Sequence, residues 1–260
     1  MTKLEKTINT LRRTKADIVR LYGEKAIKGK QLFIKREDAH TFARDMFLDL
    51  DGNGEIPSEI HITTGNQKLN AIPSIAFNPF LTCSGEKCLA FCYGTNQKFL
   101  SFFKFFYEVE NTFFMMKYPD IFVKRLSAYI ALYQPRYFRF FENGDFANVA
   151  NVALFNDIAK KNPGTSFLCM TKKSVMVNAF LKSTGGKYAK NLVLRFSNVD
   201  IENVKINLEN PYNVPLTCVI DKGATKGDKN SVLCPGTATG CIKCMKCWKC
   251  TKKVLFELHR

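Results

Sequence analysis

The sequence has no long apolar run, and no stretch approaches the ~18 apolar residues that a membrane-spanning helix needs. Its opening residues, Met-Thr-Lys-Leu-Glu-Lys, are followed by no apolar core, so no secretory signal peptide is expected. Internal repeats and low-complexity segments are also missing. These absences argue against a membrane protein and predict a cytoplasmic location, in a reducing compartment.

Histidine is scarce, with three copies, whereas cysteine is plentiful, with ten. Disulfides are rare in a reducing cytosol, so ten cysteines in that setting indicate metal binding. His40, His61 and His259 offer no partner at ligand spacing. The thiolates would therefore have to supply the metal ligands.

Acidic residues are outnumbered by basic ones, 23 to 39, which gives a formal net charge of +16. The lysines are spread along the whole chain, and a diffuse excess indicates nucleic acid less strongly than a concentrated patch would. A nucleic-acid partner, an acidic substrate and solubility all remain open as explanations of the charge.

Apolar periodicity predicts strands that alternate with helices, a pattern typical of parallel βαβ units. No helix is visible between 198 and 215, so a barrel would be incomplete. We expect an α/β fold, a partial and irregular parallel (β/α) barrel over 61–225, with an N-terminal helical extension over 1–60 and a cysteine-rich C-terminal segment over 226–260. The predicted helices cover 3–27, 38–48, 96–116, 119–133, a stretch around 149–159, and 173–182; the predicted strands cover 31–35, 72–77, 136–141, 166–170, 191–197 and 216–220.

Residues 49–56 resemble the front half of an EF-hand calcium loop, because oxygen-bearing side chains alternate and Gly54 is at the sixth position. The twelfth position is Ile60, where a bidentate glutamate is required. We therefore prefer a glycine-rich turn to a calcium site here.

The first cysteine group is Cys83, Cys88 and Cys92, spaced C-x4-C-x3-C directly after a predicted strand. Three thiolates from one loop can hold three irons of a four-iron cluster and leave the fourth iron open to a ligand. Zinc is the alternative, and it would need a fourth ligand from elsewhere in the chain.

The second cysteine group lies near the C-terminus, and Lys-rich sequence surrounds it. Its spacing C-x2-C-x2-C, with a remote cysteine before a proline, is closer to a ferredoxin run than to paired zinc knuckles. A full set of four ligands would form a closed cluster for structure or electron transfer. The predicted ligands are Cys234, Cys241, Cys244 and Cys247, which leaves Cys250 spare; Cys169 and Cys218, inside apolar strands, are predicted to be ordinary buried residues.

Several motifs, in order, resemble a phage family called gene product 88. They begin with Thr64-Gly-Asn-Gln-Lys-Leu-Asn, an apolar strand and Thr82-Cys83, and continue with Cys88-x3-Cys92-Tyr93, Asn143-Gly-Asp145-Phe146, Phe167-Leu-Cys-Met-Thr171-Lys-Lys173, Cys234-Pro235 and Cys241-x2-Cys244-x2-Cys247-Trp248. The resemblance covers roughly 62–250. Ser84 replaces the family's usual proline, and Asn143 replaces its usual serine.

That family is more remotely similar to radical S-adenosylmethionine enzymes, which implies a site-differentiated cluster, an electron donor as partner and S-adenosylmethionine as cofactor. By that resemblance Gly144 and Asp145 would contact the cofactor, with Asp145 holding its amino acid moiety. Arg195 or Ser197, at the end of a later strand, would take its carboxylate or ribose. The alternative for Asp145 is a plain helix cap. The alternative for the whole protein is a zinc or iron–sulfur protein without catalysis that binds nucleic acid through Trp248 and the basic tail.

Overall fold

The computed structural model of the chain describes residues 33–36, 39–52, 56–57, 59–64, 68–69, 71–83, 87–92, 94–95, 99–224 and 229–258. The helices of this part are α1 (Ala39–Gly52), α2 (Pro79–Thr82), α3 (Phe102–Lys117), α4 (Pro119–Tyr133), α5 (Val149–Lys161), α6 (Ser174–Ser183), α7 (Cys241–Cys244) and α8 (Lys246–Lys249). The strands are β1 (Phe33–Lys35), β2 (Ile62–Thr64), β3 (Pro73–Ile75), β4 (Phe99–Ser101), β5 (Tyr137–Phe140), β6 (Ser166–Thr171), β7 (Leu192–Ile201), β8 (Val204–Ile206), β9 (Leu216–Ile220), β10 (Ser231–Leu233) and β11 (Lys253–Glu257). None of the helices in the described ranges is long and apolar enough to cross a membrane.

A nine-stranded sheet organises the molecule, in the order β10-β11-β9-β7-β6-β5-β3-β2, with β8 paired to β7. All pairings from β3 to β10 are parallel, whereas β2 and β8 are antiparallel to their neighbours. The strands β3, β5, β6, β7 and β9 lie side by side in chain order. Because crossovers between parallel strands are right-handed, connections that always step in one direction leave their helices on one face of the sheet.

The predicted α/β class is confirmed, and so is a mostly parallel sheet. The sheet has two different edge strands among the described residues, β10 and β2, so it is not a closed barrel. The cysteine-rich segment also contributes β10 and β11 to this same sheet, and β11 lies between β9 and β10. The parallel strands therefore follow chain order from β3 only as far as β9, and β11 and β10 come after it in the reverse of chain order.

The two faces of the sheet carry different cores, because successive side chains of a strand point to opposite sides. Phe138, Phe140 and Phe167 pack in the larger core, with Phe122 of α4 and Phe155 of α5. The aromatic rings are close, with centroids of Phe140 and Phe155 4.6 Å apart. Several of the 23 phenylalanines therefore serve core packing.

The opposite face carries a smaller cluster in which Leu168 of β6 contacts Met245 and Trp248. Tyr137 and Val193 pack against the same cluster, from the alternate positions of β5 and β7. The cysteine-rich segment thus covers the face that no crossover helix covers. The second cysteine group, of which Cys241 and Cys247 pack against this cluster, therefore lies on the face opposite the larger core.

Several predicted elements match closely: the helix over 119–133 and the strand over 216–220 have the predicted bounds. The predicted helix over 96–116 is instead a short strand, β4, followed by α3. The strands β8, β10 and β11 were not predicted, because three to five residues carry little periodicity. The predicted helix over 3–27 lies outside the described residues.

The calcium-loop motif begins inside a helix. Helix α1 continues to Gly52, so Asp49 and Asp51 are helical, and neither a calcium loop nor a turn starts at Asp49. Asp51 instead accepts a hydrogen bond from Lys117 Nζ at 2.7 Å. Helix α1 is held by its apolar face, where Ala43 and Met46 pack against aromatic residues of α3.

Candidate metal and ligand site

The first cysteine group follows β3 through the one-turn helix α2. The side chain of Asn78 caps α2 by accepting the Phe80 N–H at 3.0 Å, and the Cys83 N–H closes the turn on the Pro79 carbonyl. Cys88 is buried in a 3₁₀ turn over Lys87–Ala90. The loop that carries Cys83, Cys88 and Cys92 is therefore built at the carboxyl end of a strand in the parallel sheet.

The second cysteine group is held in two one-turn helices, α7 and α8. Met245 joins them in the left-handed conformation, with φ of 51°. The Cys241 N–H donates to the Lys68 carbonyl at 2.7 Å, and the Cys234 N–H donates to the Leu255 carbonyl at 2.8 Å. The cysteine-rich segment is thereby attached both to Lys68, which precedes β3, and to β11.

The two cysteine groups face one cavity of about 270 Å³. All seven predicted ligands line it: Cys83, Cys88, Cys92, Cys234, Cys241, Cys244 and Cys247. Cys250 is not among the lining residues, and its role as the spare thiol stays a prediction. The sequence analysis treated the two cysteine groups as separate sites, whereas in the structure both groups line the same cavity.

Two thiols of this cavity, Cys83 and Cys247, are costly to ionise. Burial raises the pKa of Cys83 strongly, and the charge of Asp145 raises it further. Burial raises the pKa of Cys247 to about 12, with Arg195 opposing the shift and both Cys234 and Cys241 adding to it. Cys234 thus lines the same cavity as the C-x2-C-x2-C run and adds to the raised pKa of Cys241 and Cys247. A metal would have to replace the thiol protons on binding.

The donor set fits a thiolate-bound metal centre in its chemistry. All ten cysteines are free thiols, and soft sulfur ligands favour iron–sulfur clusters or zinc. In the described ranges no three cysteine, histidine or acidic side chains already converge at metal-ligand geometry.

A family model described as gene product 88 matches residues 51–250, which is 200 of the 260 residues and includes both cysteine groups. The chain belongs to the gene product 88 family. No curated protein and no solved structure matches it.

In this gene product 88 protein, Gly144 and Asp145 form the turn after β5, and both line the cavity. Gly144 has φ of +74°, and a Cβ there would lie 2.6 Å from the Phe77 carbonyl oxygen, so the turn requires glycine. Asp145 is not the cap of the following helix, because Asn148 caps α5.

Asp145 connects the ends of β5 and β6. Its Oδ1 accepts from the Phe146 N–H at 2.8 Å and from the Thr171 hydroxyl at 2.5 Å, and its Oδ2 accepts from the Lys172 N–H at 2.7 Å. Burial raises the pKa of Asp145, and these hydrogen bonds oppose the shift. An ionised carboxylate has about four acceptor sites, so one remains for a ligand.

Arg195 has a different role from the one predicted. Its side chain is 1% exposed and does not line the cavity. The guanidinium donates to four carbonyl oxygens. Three belong to the cysteine-rich tail, those of Cys247 at 3.3 Å, Cys250 at 2.7 Å and Lys252 at 2.6 Å. The fourth is that of Leu216 in β9, at 3.0 Å. Burial lowers the pKa of Arg195. This side chain anchors the tail and has no contact with the space where a cofactor would lie.

Ser197, the other predicted residue of β7, does line the cavity. Its hydroxyl accepts a hydrogen bond from Lys172 Nζ at 3.1 Å. Sequence reasoning missed Lys172, although it follows β6 directly and so lies at the carboxyl edge of the sheet. It also missed Arg139, whose signal was a charged residue between two phenylalanines of a strand.

A buried carboxylate pair lies behind the first cysteine loop and was also missed. The Ser74 hydroxyl donates to Glu142 at 2.6 Å, and the Asn143 amide donates to Glu108 at 2.7 Å. Lys104 Nζ is 3.9 Å from an oxygen of each carboxylate. Burial raises the pKa of Glu108 to about 7; Lys104 and Asn143 oppose the shift, and Glu142 adds to it.

The raised pKa of Glu108 predicts that stability falls as pH rises from the ordinary value of 4.5 towards about 7. In that window the folded protein keeps a proton that the unfolded chain has released, and the loss amounts to about 3 kcal/mol. Glu108→Gln should flatten this part of the pH dependence, measured by urea unfolding at several pH values. The exposed Glu202→Gln is the matched control. An unchanged pH profile in Glu108→Gln would contradict the assignment.

Proposed function

We propose that this protein is an iron–sulfur protein with a radical S-adenosylmethionine-type catalytic core. The observation that carries the proposal is the shared cavity, in which both cysteine groups face each other across the carboxyl ends of parallel strands. Ligands of parallel α/β sheets bind at that edge. The resemblance to those enzymes also implies parallel strands in chain order, with the cysteine loop after the first of them. The first parallel strand here is β3, and the cysteine loop follows it.

In this proposal the first cluster is held by Cys83, Cys88 and Cys92, and its fourth iron is left for a ligand. Gly144, Asp145 and Ser197 line the same cavity and supply polar contacts to the cofactor. Asp145 uses its remaining acceptor site, while its other bonds keep the ends of β5 and β6 in register.

The second cluster is held by Cys234, Cys241, Cys244 and Cys247, a complete thiolate set. Iron–sulfur clusters supply one-electron chemistry, and S-adenosylmethionine supplies the reactive group when both are bound. An electron donor is then the required protein partner. Ten free thiols are compatible with a reducing compartment, so we also propose the cytoplasm.

The alternative of a nucleic-acid-binding tail rests on the net charge of +16, and the contacts of the tail do not add to it. Trp248 is 8% exposed and packs against Tyr137, with ring centroids 5.9 Å apart, so it cannot stack on a base without leaving its site. Lys246 and Lys252 donate to backbone carbonyls of Leu233 and Lys229. Zinc at one or both cysteine groups remains the alternative to iron.

Protein purified without oxygen should be brown, should absorb broadly near ~400 nm, and should contain iron and acid-labile sulfide. After reduction it should bind S-adenosylmethionine in equilibrium dialysis. The matched control is Cys169→Ala, which removes a buried thiol from the opposite face of β6 and should keep the colour. Colourless protein with stoichiometric zinc and no sulfide would overturn the iron assignment. Iron-loaded protein that never binds the cofactor would overturn the catalytic one.

A further inference from the structure

Arg139 is the charged residue at the centre of β5, and its environment differs from that of its neighbours. Phe138 and Phe140 face the helix-side core, whereas Arg139 lines the cavity on the other face, on the same side of the strand as Tyr137. A guanidinium in an otherwise aromatic strand is therefore exposed to the space between the two cysteine groups.

The hydrogen-bonding capacity of Arg139 is unused. Its Nε is buried and has no hydrogen-bond partner among the residues that the structure describes. The Nε of Arg195, two strands away, is also without a partner, but the two terminal nitrogens of Arg195 donate to four carbonyl oxygens, whereas Arg139 makes no such bond in the described part of the chain. Buried donors without partners are rare in native proteins, and an ion or ligand is a usual reason for one.

The carboxylates that line the cavity are already engaged by the protein. Asp145 accepts three hydrogen bonds, Glu142 accepts one from Ser74, and Glu257 accepts one from the Gly223 N–H at 3.2 Å. Lys68 and Lys172 line the same space and add positive charge. The cavity thus presents a guanidinium to its contents without a carboxylate assigned to it.

We infer that Arg139 is the centre of an oxyanion-binding subsite for a small ligand that carries a carboxylate or a phosphate. The guanidinium presents parallel N–H donors that match either group, and bonds of this kind are charge-assisted. The inference goes beyond the proposed function, because it requires neither a cluster nor S-adenosylmethionine. The contrary explanation is that Arg139 only offsets the charge of nearby thiolates, since it lowers the pKa of Cys241 and Cys247.

Equilibrium dialysis of the full chain at its native metal content, with radiolabelled inorganic phosphate or acetate, tests the subsite. We expect saturable binding of at least one probe, and the tighter probe identifies the ligand chemistry. Arg139→Gln should weaken that binding by about tenfold or more, because a charge-assisted pair is lost. Lys160→Gln, at an exposed lysine of α5, should leave it unchanged.

Metal content and the unfolding midpoint are measured on the same samples. Arg139→Gln should preserve both, because Arg139 has no hydrogen bond to the described part of the chain; if that variant does not fold, Arg139→Lys replaces it and should still bind the probe more weakly. The inference is overturned if neither probe binds saturably, or if the variant binds the probe as well as the native protein. Loss of metal with unchanged anion binding would assign Arg139 to the thiolates instead. Metal-free native protein that still binds the anion would leave this subsite intact while the proposed function failed.

Discussion

Replacing Cys88 with alanine should remove the iron held by the first cysteine group and abolish the binding of S-adenosylmethionine. Cys88 is the most buried of the three thiols and sits in the short 3₁₀ turn between the other two. Two remaining thiolates cannot hold three corners of a four-iron cluster, so roughly four irons per chain should be lost. Iron and sulfide analysis with cofactor dialysis measures both effects.

The second cysteine group provides the internal comparison for that result. Cys244→Ala should lower iron by a similar amount but should leave cofactor binding measurable, because the proposed function assigns the open iron to the first group. Cys250→Ala should change neither quantity, since Cys250 does not line the cavity. If Cys88→Ala kept full iron and bound the cofactor normally, the assignment of the first group would fail.

Replacing Arg195 with methionine should lower the free energy of unfolding by about 3–5 kcal/mol. The change removes a buried charge but leaves four carbonyl oxygens without their donor, and three of these belong to the segment that covers the second face of the sheet. Urea unfolding measures the loss. Iron at the second group should fall as well, because the backbone of Cys247 loses its support.

Arg139→Met is the matched control for this effect, since it removes a guanidinium that donates to no described carbonyl. Its stability should stay within about 1 kcal/mol of the native value. Arg195→Lys should restore only part of the loss, because an ammonium cannot reach four acceptors in the same fixed plane. Equal destabilisation by Arg139→Met and Arg195→Met would show that the carbonyl contacts are not the cause.

Particular residues show what could be predicted from sequence. The spacing of Cys83, Cys88 and Cys92 predicted a cysteine loop after a strand, and the strand is β3. The role of that loop as a metal ligand stays a prediction. The helix over 119–133 was found because a long amphipathic pattern is specific. That both cysteine groups share a cavity was not predictable, because it depends on β11 pairing with β9, a contact between distant parts of the chain.

Side chains whose partners are backbone groups were the hardest to interpret. Arg195 was predicted to contact a cofactor because it lies near the end of a strand, but its acceptors are carbonyl oxygens, which leave no mark on residue identity. Arg139 did carry a signal, since a charge amid Tyr137, Phe138 and Phe140 has to be compensated. The groups that surround the Arg139 guanidinium come from other strands and from the cysteine-rich segment, so they can be identified only from the fold.

The position of β11 between β9 and β10 has a consequence for how the protein matures. Residues 231–233 are synthesised before 253–257, yet β10 joins the sheet only through its pairing with β11. The last residues must therefore leave the ribosome before the cysteine-rich tail can close over its face. In the proposed function, the first cysteine loop would receive its metal before that step. A chain cut before Lys253 would lack β11, which pairs with both β9 and β10.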